Sequence, residues 1–327
     1  MKKTITILML SVVTITQAFG QPINLEFRLK STAPDNTLRI MEQNAKAVFD
    51  EINSASQENR NPRFSTANIT NDGIVQTHAL WAISKFHCVE SAYSENVSIN
   101  LSGGYQIRNI ATFFKDIKQS QDLVVDFDRA GRVSNISIAI SRVQWKEIMQ
   151  TGGAVTDLRE RQTIVEFIEN FRTAYNLQDI DYIATMFNDD ALIITGKKLT
   201  VRTGDGQYAN RAIYSTQNKQ QYINKLRTAI MAKDSQGNKL NKLRVDFDKI
   251  KIIKSEKKGD ENLYLVRLWQ KWDSKGKINY GDEGWLTLVI DFYGQEPTIW
   301  VRAWEDSDFK EDELYNWNCF YNPNTCK

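Results

Sequence analysis

The sequence of 327 residues predicts an α+β protein, because amphipathic helices come before groups of short strands in each half of the chain. The clearest helix follows Asp157, where apolar residues recur every three or four positions. These residues are Ile164, Phe167, Ile168, Phe171 and Tyr175. Residues 240–304 then contain four strand-like segments separated by turn residues, a pattern typical of an antiparallel meander.

In the first half, residues 36–54 are predicted to form a helix, since apolar side chains again recur at helical spacing. This apolar face comprises Leu38, Met41, Ala45, Val48 and Ile52. The polar residues 54–63 predict a loop, and residues 75–84 predict a short second helix. Strand candidates follow at residues 86–92, 98–101, 105–110, 123–127 and 136–140. Residues 128–131 predict the turn between the last two strands.

The second half begins with the N-cap candidates Thr156 and Asp157, and Glu160 has the spacing of a capping box. Asp179 is predicted to cap a shorter helix, which residues 188–190 interrupt. The apolar positions of this second helix are Ile180, Ile183 and Phe187. The other predicted elements are a strand at 191–194, a polar hairpin or loop at 197–210, a third helix at 219–232 and strands at 240–254, 263–272, 284–292 and 298–304.

Residues 1–20 are predicted to be a secretory signal, with Lys2 and Lys3 before a short apolar core and small residues near Gly20. The protein is therefore expected to be exported, and to be periplasmic or secreted once the signal is removed. No other run is long and apolar enough to predict a membrane span. The formal net charge of +2 equals the charge of the two signal lysines, so we expect no nucleic-acid partner.

The chain has three cysteines, and export permits disulfides. Cys319 and Cys326 flank a proline-containing loop and are candidates for a small terminal ring, which would leave Cys88 as a buried thiol. The alternative pairs Cys88 with one of them. His87 adjoins Cys88, but neighbouring residues of a strand face opposite sides and cannot form a nucleophilic pair. The sequence lacks a CxxC motif, so we predict no metal site.

Changes in composition predict a first domain at residues 21–150, a glycine-containing linker at 151–155, a second domain at 156–304 and a C-terminal tail at 305–327. The tail is acidic and then aromatic, and we expect it to pack on the outside. The first domain repeats the order of helices before strands, and its residues 125–127 are similar to residues 290–292. It is therefore expected to be a second α+β domain, either a degenerate copy or one that shares only a common hairpin pattern.

A long helix, a short helix, an acidic break and a strand form an order that resembles the opening of the nuclear-transport-factor-2-like / ketosteroid-isomerase-like (SnoaL-like) superfamily. The residues that carry this resemblance are Ala174, Asn176, Asp179, Ile183, Phe187, Asp190 and Ala191. It implies a cone in which a curved antiparallel sheet wraps around helices and a pocket, and this fold hosts enzymes, binding modules and scaffolds. The chain also resembles uncharacterised exported envelope proteins of Bacteroidetes-type bacteria.

The resemblance implies two proton-handling residues in the isomerase branch, a Tyr on the first helix and an Asp at the end of the first strand. The matching positions here hold Phe171 and Thr195. A phenyl ring donates no hydrogen bond, and a Thr hydroxyl is no base near neutral pH. The dehydratase branch implies a pocket His, and the second domain contains none. We therefore expect neither mechanism, no catalytic residues and no cofactor.

Several residues are nevertheless candidates for the lining of a pocket. They are Phe171, Tyr175, Asp190, Thr195, Trp269, Trp285 and Asp291. Some have a purely structural alternative, because Asp190 could be a cap or turn residue and Asp291 could pair with Arg302 on the next strand. The two tryptophans could simply fill the space inside a curved sheet.

These observations predict an exported, non-enzymatic binding or scaffolding protein of the cell envelope, whose partner is an envelope protein or a small ligand in the cone. One alternative is an isomerase, dehydratase or hydrolase with a non-standard pocket. It would require titratable groups that converge in one cavity, for example Asp190, Asp291 and Tyr175. The other alternative is a structural module that forms a homodimer through an apolar, exposed sheet face.

Overall fold

A computed structural model describes residues 25–322 except 31–32, 95–96, 152–154, 156, 203, 205–206, 295 and 311–312. The predicted secretory signal, the N-cap candidate Thr156, most of the predicted linker and Cys326 lie outside the described residues. The predicted α+β class is confirmed, since each half combines helices with its own mainly antiparallel sheet. No helix in the described part of the chain has the length and apolar character needed to cross a membrane.

The first half places two helices on a small antiparallel sheet. Its elements are β1 (Phe27–Leu29), α1 (Asp35–Glu58), α2 (Asn71–Ile83), β2 (Phe86–Cys88), β3 (Ala92–Ser94), β4 (Ser98–Ile99), β5 (Tyr105–Phe114), β6 (Gln119–Phe127), β7 (Val133–Ile138) and α3 (Arg142–Thr151). The strand order is β2-β5-β6-β7, with β4 also beside β5, while β1 and β3 form a separate parallel pair. One core joins most of these elements and includes Phe49, Ile52, Phe86, Phe114 and Phe127, whereas the apolar residues of α3 pack against the core of the second half.

Two predictions for the first half are corrected. Helix α1 continues to Glu58, through part of the predicted loop, because Ala55 and Ser56 are buried and extend its inner face. It ends where Asn59 adopts a left-handed conformation and its N–H donates to the Ala55 carbonyl. Helix α3, which was not predicted, directly follows Ser141, whose hydroxyl accepts a hydrogen bond from the Gln144 N–H.

The second half forms one six-stranded sheet around helices. Its elements are α4 (Leu158–Leu177), α5 (Ile180–Thr185), β8 (Phe187–Arg202), β9 (Tyr208–Gln217), α6 (Lys219–Lys225), a π-helical turn (Leu226–Ile230), β10 (Asn241–Lys254), β11 (Leu263–Gly276), β12 (Tyr280–Asp291), β13 (Thr298–Asp306) and α7 (Trp317–Tyr321). As predicted, the Asp157 carboxylate caps α4 and Asp179 caps α5. Asn218 and Gln221 form a capping box at the start of α6.

The strand order of this sheet is β10-β11-β12-β13-β8-β9. Neighbouring strands are antiparallel except β13 and β8, which run parallel, so the sheet is mixed rather than fully antiparallel as predicted. Register shifts interrupt β10, β12 and β13, and such irregularities bend a sheet. Two helices, a hairpin, a third helix and a four-stranded meander therefore build a curved sheet around a helical core, which is the predicted nuclear-transport-factor-2-like cone.

Helix α4 lies between the two sheets and is buried along most of its length. Toward the first half, the Glu169 carboxylate accepts hydrogen bonds from the Arg108 guanidinium on β5 and from the Ile140 N–H. Toward the second half, the Asn176 amide makes two hydrogen bonds with the Val245 backbone on β10, at 2.9 and 2.7 Å. One helix therefore forms part of the packing of both halves.

The similar residues 125–127 and 290–292 occupy comparable places in the two sheets. Residues 125–127 end β6, and Ile290 and Asp291 end β12; each of these strands is third in a row of four antiparallel strands. The two rows are β2-β5-β6-β7 and β10-β11-β12-β13, and only the second joins strands that are consecutive in the chain. The internal duplication stays a prediction, and this shared order is the observation that favours it.

The C-terminal tail packs on the outer face of the cone sheet. Tyr315 and Cys319 are buried there against Val289, Val301 and Ala303. The tail thus covers apolar surface on the face that we expected to be available for a homodimer. Among the described residues Cys88 is a free, buried thiol and Cys319 is disulfide-bonded. Because Cys326 lies outside the described residues, the Cys319–Cys326 pairing stays a prediction.

Glu305 links the tail to the sheet and predicts a pH effect on stability. Its carboxylate accepts a hydrogen bond of 2.8 Å from the Tyr315 N–H, and burial raises its pKa to about 7 from an ordinary value of 4.5. A raised pKa in the folded state stabilises the protein below the unfolded-state pKa, and this contribution disappears as the pH rises through the folded-state pKa. We expect the urea midpoint to fall between about pH 5 and about pH 8, and to fall less in Glu305→Gln.

The matched control is Glu313→Gln, which alters an exposed carboxylate of the same tail. It should retain the full fall in urea midpoint. Burial also raises the pKa of Asp126, to about 6, so part of the fall should remain in Glu305→Gln. An identical pH dependence in wild type and Glu305→Gln would show that Glu305 does not contribute.

Candidate functional site

A cavity of about 420 Å³ lies in the cone, where strands β11, β12 and β13 and the β8–β9 hairpin face α6 and the π-helical turn. Much of its wall is apolar, with Trp272 and Trp304 from the sheet and Leu226 and Ile230 from the π-helical turn. Its volume is within the range of small-molecule sites, which are typically apolar with a few placed polar groups. The polar groups in this wall therefore indicate what kind of ligand fits.

Arg302 is the most buried charged group that lines this cavity. It lies on β13 with its side chain on the inner face, only 3% of the residue is exposed, and its Nη2 donates to the Gln270 Oε1 at 3.1 Å. Its Nε and Nη1 are also buried, and neither has a hydrogen-bond partner among the described residues. Burial opposes the charge, but the neighbouring Tyr222 and Tyr175 outweigh this and raise the pKa of Arg302. The guanidinium therefore stays cationic with two donors unused.

Two tyrosine hydroxyl groups meet next to this guanidinium. The Tyr175 and Tyr222 oxygens are 2.6 Å apart and share a hydrogen bond, and the Arg302 guanidinium carbon is 5.4 Å from the Tyr222 ring centroid. Burial raises the pKa of Tyr175 well above its ordinary value, so this phenol stays protonated. Tyr175 also packs edge-on against the rings of Phe171 and Trp272, which fix its position.

A carboxyl group lies on the cavity wall at the start of β12. The Tyr280 hydroxyl donates a hydrogen bond to the Asp282 carboxylate, and both residues line the cavity. Burial raises the pKa of Asp282, although the bond from Tyr280 and the charge of Arg302 oppose this shift. Burial is also the main cause that raises the pKa of Tyr280. An acid and two lining phenols, Tyr222 and Tyr280, thus converge on the cavity, and none of these three residues is among the lining candidates predicted from the sequence.

Two glycines make room for the Trp304 ring, which lines the cavity and is almost fully buried. A Cβ atom added at Gly196 on β8 would overlap two carbon atoms of this ring. A Cβ atom added at Gly284 on β12 would lie 3.0 Å from two other ring carbons and overlap the Glu305 carbonyl oxygen. The ring therefore occupies a slot whose two sides lack side chains, and this slot sets the shape of the cavity.

Of the residues predicted from the sequence, Thr195 lines the cavity, and its hydroxyl accepts a hydrogen bond of 2.8 Å from the Gln217 amide. Phe171 and Tyr175 are fully buried in the core behind the wall, and Tyr175 reaches the site through its hydrogen bond with Tyr222. Thr195 therefore contributes a hydroxyl, and Phe171 contributes only packing.

The other predicted residues lie elsewhere. Asp190 is exposed on β8. Asp291 lies opposite Thr298, whereas Arg302 lies opposite Leu288, so the predicted Asp291–Arg302 pair is wrong. Trp269 and Trp285 are cross-strand neighbours with ring centroids 5.1 Å apart. Residues an odd number of positions apart in a strand face opposite sides of the sheet. Trp272, three residues after Trp269, and Leu286, directly after Trp285, both face the core, so Trp269 and Trp285 lie on the outer face.

Sequence reasoning missed Arg302, Asp282 and Tyr280. A signal for Asp282 was present, because alternate residues of a strand share one face and Leu288 and Leu286 face the core. Continuing this alternation backward along β12 places Asp282 and then Tyr280 on the same inner face. Among the residues that the structure describes, no three His, Cys, Asp or Glu side chains are grouped so that they could hold a metal ion.

The order and pairing of the elements in the second half are those of the nuclear-transport-factor-2-like fold. No protein-family model matches the chain, and no curated protein matches it. Among solved structures, the β subunit of benzoate 1,2-dioxygenase from Burkholderia mallei is 16% identical, with 48% of this chain and 94% of that chain covered and a TM-score of 0.31. Aln2 from a Streptomyces species is 10% identical, with 52% of this chain and 95% of that chain covered and a TM-score of 0.30. Naphthalene 1,2-dioxygenase is 11% identical, with 53% of this chain and 92% of that chain covered and a TM-score of 0.35.

Proposed function

We propose that this protein is an exported, non-enzymatic binding protein whose cone holds a small apolar molecule with an anionic group. The observation that carries the proposal is the buried Arg302 side chain, which lines the cavity and whose Nε and Nη1 have no hydrogen-bond partner among the described residues. Leaving a buried polar group without a partner costs about 1–3 kcal/mol, and more for a charged group. A ligand oxygen that bonds these donors would recover that free energy.

A carboxylate is the anion that best fits such a site. Guanidinium groups bind carboxylates through paired N–H donors, and these charge-assisted bonds are stronger than bonds between neutral groups. The Trp272 and Trp304 rings and the Leu226 side chain would surround the rest of the molecule, so its body should be apolar. The phenols of Tyr222 and Tyr280 would add hydrogen bonds that orient it.

The proposal of a non-enzymatic role rests on the state of the acid and the phenols. The Tyr280 hydroxyl is bonded to the Asp282 carboxylate, and the Tyr175 and Tyr222 hydroxyl groups are bonded to each other. Each pair is thus engaged within the protein. Export is proposed from the basic and apolar pattern of residues 1–20, and identification of Gln21 as the first residue of protein recovered from the periplasm would test it.

Calorimetric titration with phenylacetate, indole-3-acetate and octanoate tests the binding proposal. We expect at least one of these carboxylates to bind, and its primary amide to bind much more weakly. Arg302→Met should weaken binding of that carboxylate about 100-fold, since truncating a buried hydrogen-bonded charge costs roughly 2–5 kcal/mol. Arg227→Met, which removes an exposed Arg of the π-helical turn, is the control and should bind normally. Equal affinity in Arg302→Met and wild type would refute the assignment.

A second candidate function, a small-molecule isomerase or dehydratase, is favoured by one observation. Asp282 lies on the cavity wall, and its pKa is raised, as is typical of residues that transfer protons. If the cone is catalytic, a bound carboxylate should be converted over time, and Asp282→Asn should stop the conversion while leaving binding intact. If the bound molecule is recovered unchanged, the binding function stands and the enzyme is excluded for that ligand.

A further inference from the structure

A second and larger hollow, of about 780 Å³, lies between the two halves of the protein. We call it the interhalf cleft; β6 and the start of α3 line one side, and β10 and β11 line the other. It is separate from the cone cavity. Trp269 on β11 lines the interhalf cleft, whereas its neighbour Gln270 lines the cone cavity, and adjacent residues of a strand face opposite sides.

The wall of this cleft contains amide groups that lack partners. Gln144, on the first turn of α3, is only 7% exposed, yet neither its Oε1 nor its Nε2 has a hydrogen-bond partner among the residues that the structure describes. The Oε1 atom of Gln121 on β6 is also buried, and within the described part of the chain it has no partner. The polar atoms of buried side-chain amides normally form hydrogen bonds. The open acceptor and donor of Gln144 and the open acceptor of Gln121 therefore point to a ligand that binds in this cleft. That ligand must both donate and accept hydrogen bonds.

Charged groups of both signs line the cleft, and two of its arginines are paired with carboxylates. The Arg142 guanidinium bonds the Asp122 carboxylate, with Nη2 and Oδ1 at 2.9 Å. The Arg172 Nη1 lies 3.1 Å from the Asp246 Oδ1. Four cations and four carboxylates line the cleft, so the charges of its wall balance, and this favours a neutral molecule rich in hydroxyl groups.

An aromatic ring completes the cleft. The Trp269 indole is held in place by the perpendicular Trp285 ring at 5.1 Å and by the Lys249 ammonium at 4.7 Å from its centroid. A rigid indole offers a flat apolar surface, on which the C–H face of a sugar ring can pack. Planar amides, paired charges and an aromatic ring are the groups that hold sugar hydroxyls and sugar faces together in one site.

We propose that the interhalf cleft binds a short neutral oligosaccharide. Gln144 would donate to one sugar hydroxyl and accept from another, Gln121 would accept from a third hydroxyl, and Trp269 would carry one sugar ring. The proposal does not depend on the function of the cone, because none of Gln121, Gln144 and Trp269 lines the cone cavity.

Calorimetric titration of the full chain with cellotriose, maltotriose, xylotriose and chitotriose tests the proposal. At least one of them should bind, and Gln144→Leu and Trp269→Ala should each weaken its binding about tenfold or more. The control Gln220→Leu, on the exposed side of α6, should bind the sugar normally. Gln144→Leu should also melt at the same temperature as wild type or higher, because it removes a buried amide that lacks partners in the free protein.

A merely structural Gln144 predicts a different pair of results: a lower melting temperature and unchanged sugar binding in Gln144→Leu. That outcome would overturn the proposal, as would the absence of binding by all four trisaccharides. Binding of trialanine in place of any sugar would overturn it in favour of a peptide site. Arg302→Met should bind the sugar as wild type does, which separates this test from the test of the cone.

Discussion

Replacement of Glu169 with Ala should lower the free energy of unfolding by about 3–5 kcal/mol, the usual effect of breaking a buried ion pair. Glu169 is 1% exposed, and its carboxylate accepts hydrogen bonds from both terminal nitrogens of Arg108 and from the Ile140 N–H. The substitution would leave the Arg108 guanidinium, itself 7% exposed, without its counter-charge. The loss should be large because an unpaired charge in the interior cannot be solvated.

Urea denaturation measured by circular dichroism tests this expectation. The control is Asp50→Ala, which breaks an exposed Lys46–Asp50 pair and should change the free energy of unfolding by less than about 1 kcal/mol. The double variant with Arg108→Met and Glu169→Leu should recover much of the stability, because it removes both charges together. A Glu169→Ala variant as stable as the control would show that the pair is not buried in solution.

The substitution Gly196→Ala should have the second largest effect, a loss of about 1–3 kcal/mol that is typical of overpacking. The added methyl group would overlap the Trp304 ring. Gly284 lies close to the ring on its other side, since a Cβ atom there would be only 3.0 Å from two ring carbons, so the ring has little room to move that way. The ring could then shift only toward the cavity. Gly196→Ala should therefore also weaken ligand binding in the cone.

Thermal unfolding and the carboxylate titration measure both consequences. Gly204→Ala is the matched control, because a Cβ atom at Gly204 meets no atom of the described residues within 4 Å. It should match wild type in both measurements. Normal stability together with normal binding in Gly196→Ala would mean that the Trp304 ring has more freedom than the close packing indicates. Reduced stability with normal binding would place the shifted ring outside the cavity.

Helix α4 and the final meander could be predicted because their apolar periods are long and regular. The boundary between α5 and β8 could not. Phe187 was assigned to the helix and residues 188–190 to a break, but all of them belong to β8. The reason is tertiary: Phe187 pairs with Ile299 on β13, a contact more than a hundred residues away that overrides local turn preference.

The candidate site was less predictable than the fold. Alternation along β12 and β13 contained enough information to place Asp282 and Arg302 inside the cone. The presence of an open cavity did not follow from any local pattern. It depends on the slot between Gly196 and Gly284 and on the π-helical turn, where Leu226 and Ile230 form part of the wall. These features arise from packing between distant segments, which a single sequence does not reveal.

Because α4 contributes to the packing of both halves, we expect that neither half folds normally without the other. If the chain were divided near residues 151–155, the first half would lose α4, whose Glu169 accepts hydrogen bonds from Arg108 and Ile140. It would also leave Glu169 uncovered on the other fragment. We therefore expect each half to evolve by substitution within this arrangement. Transfer of one half alone into another protein would require a new helix in the place of α4.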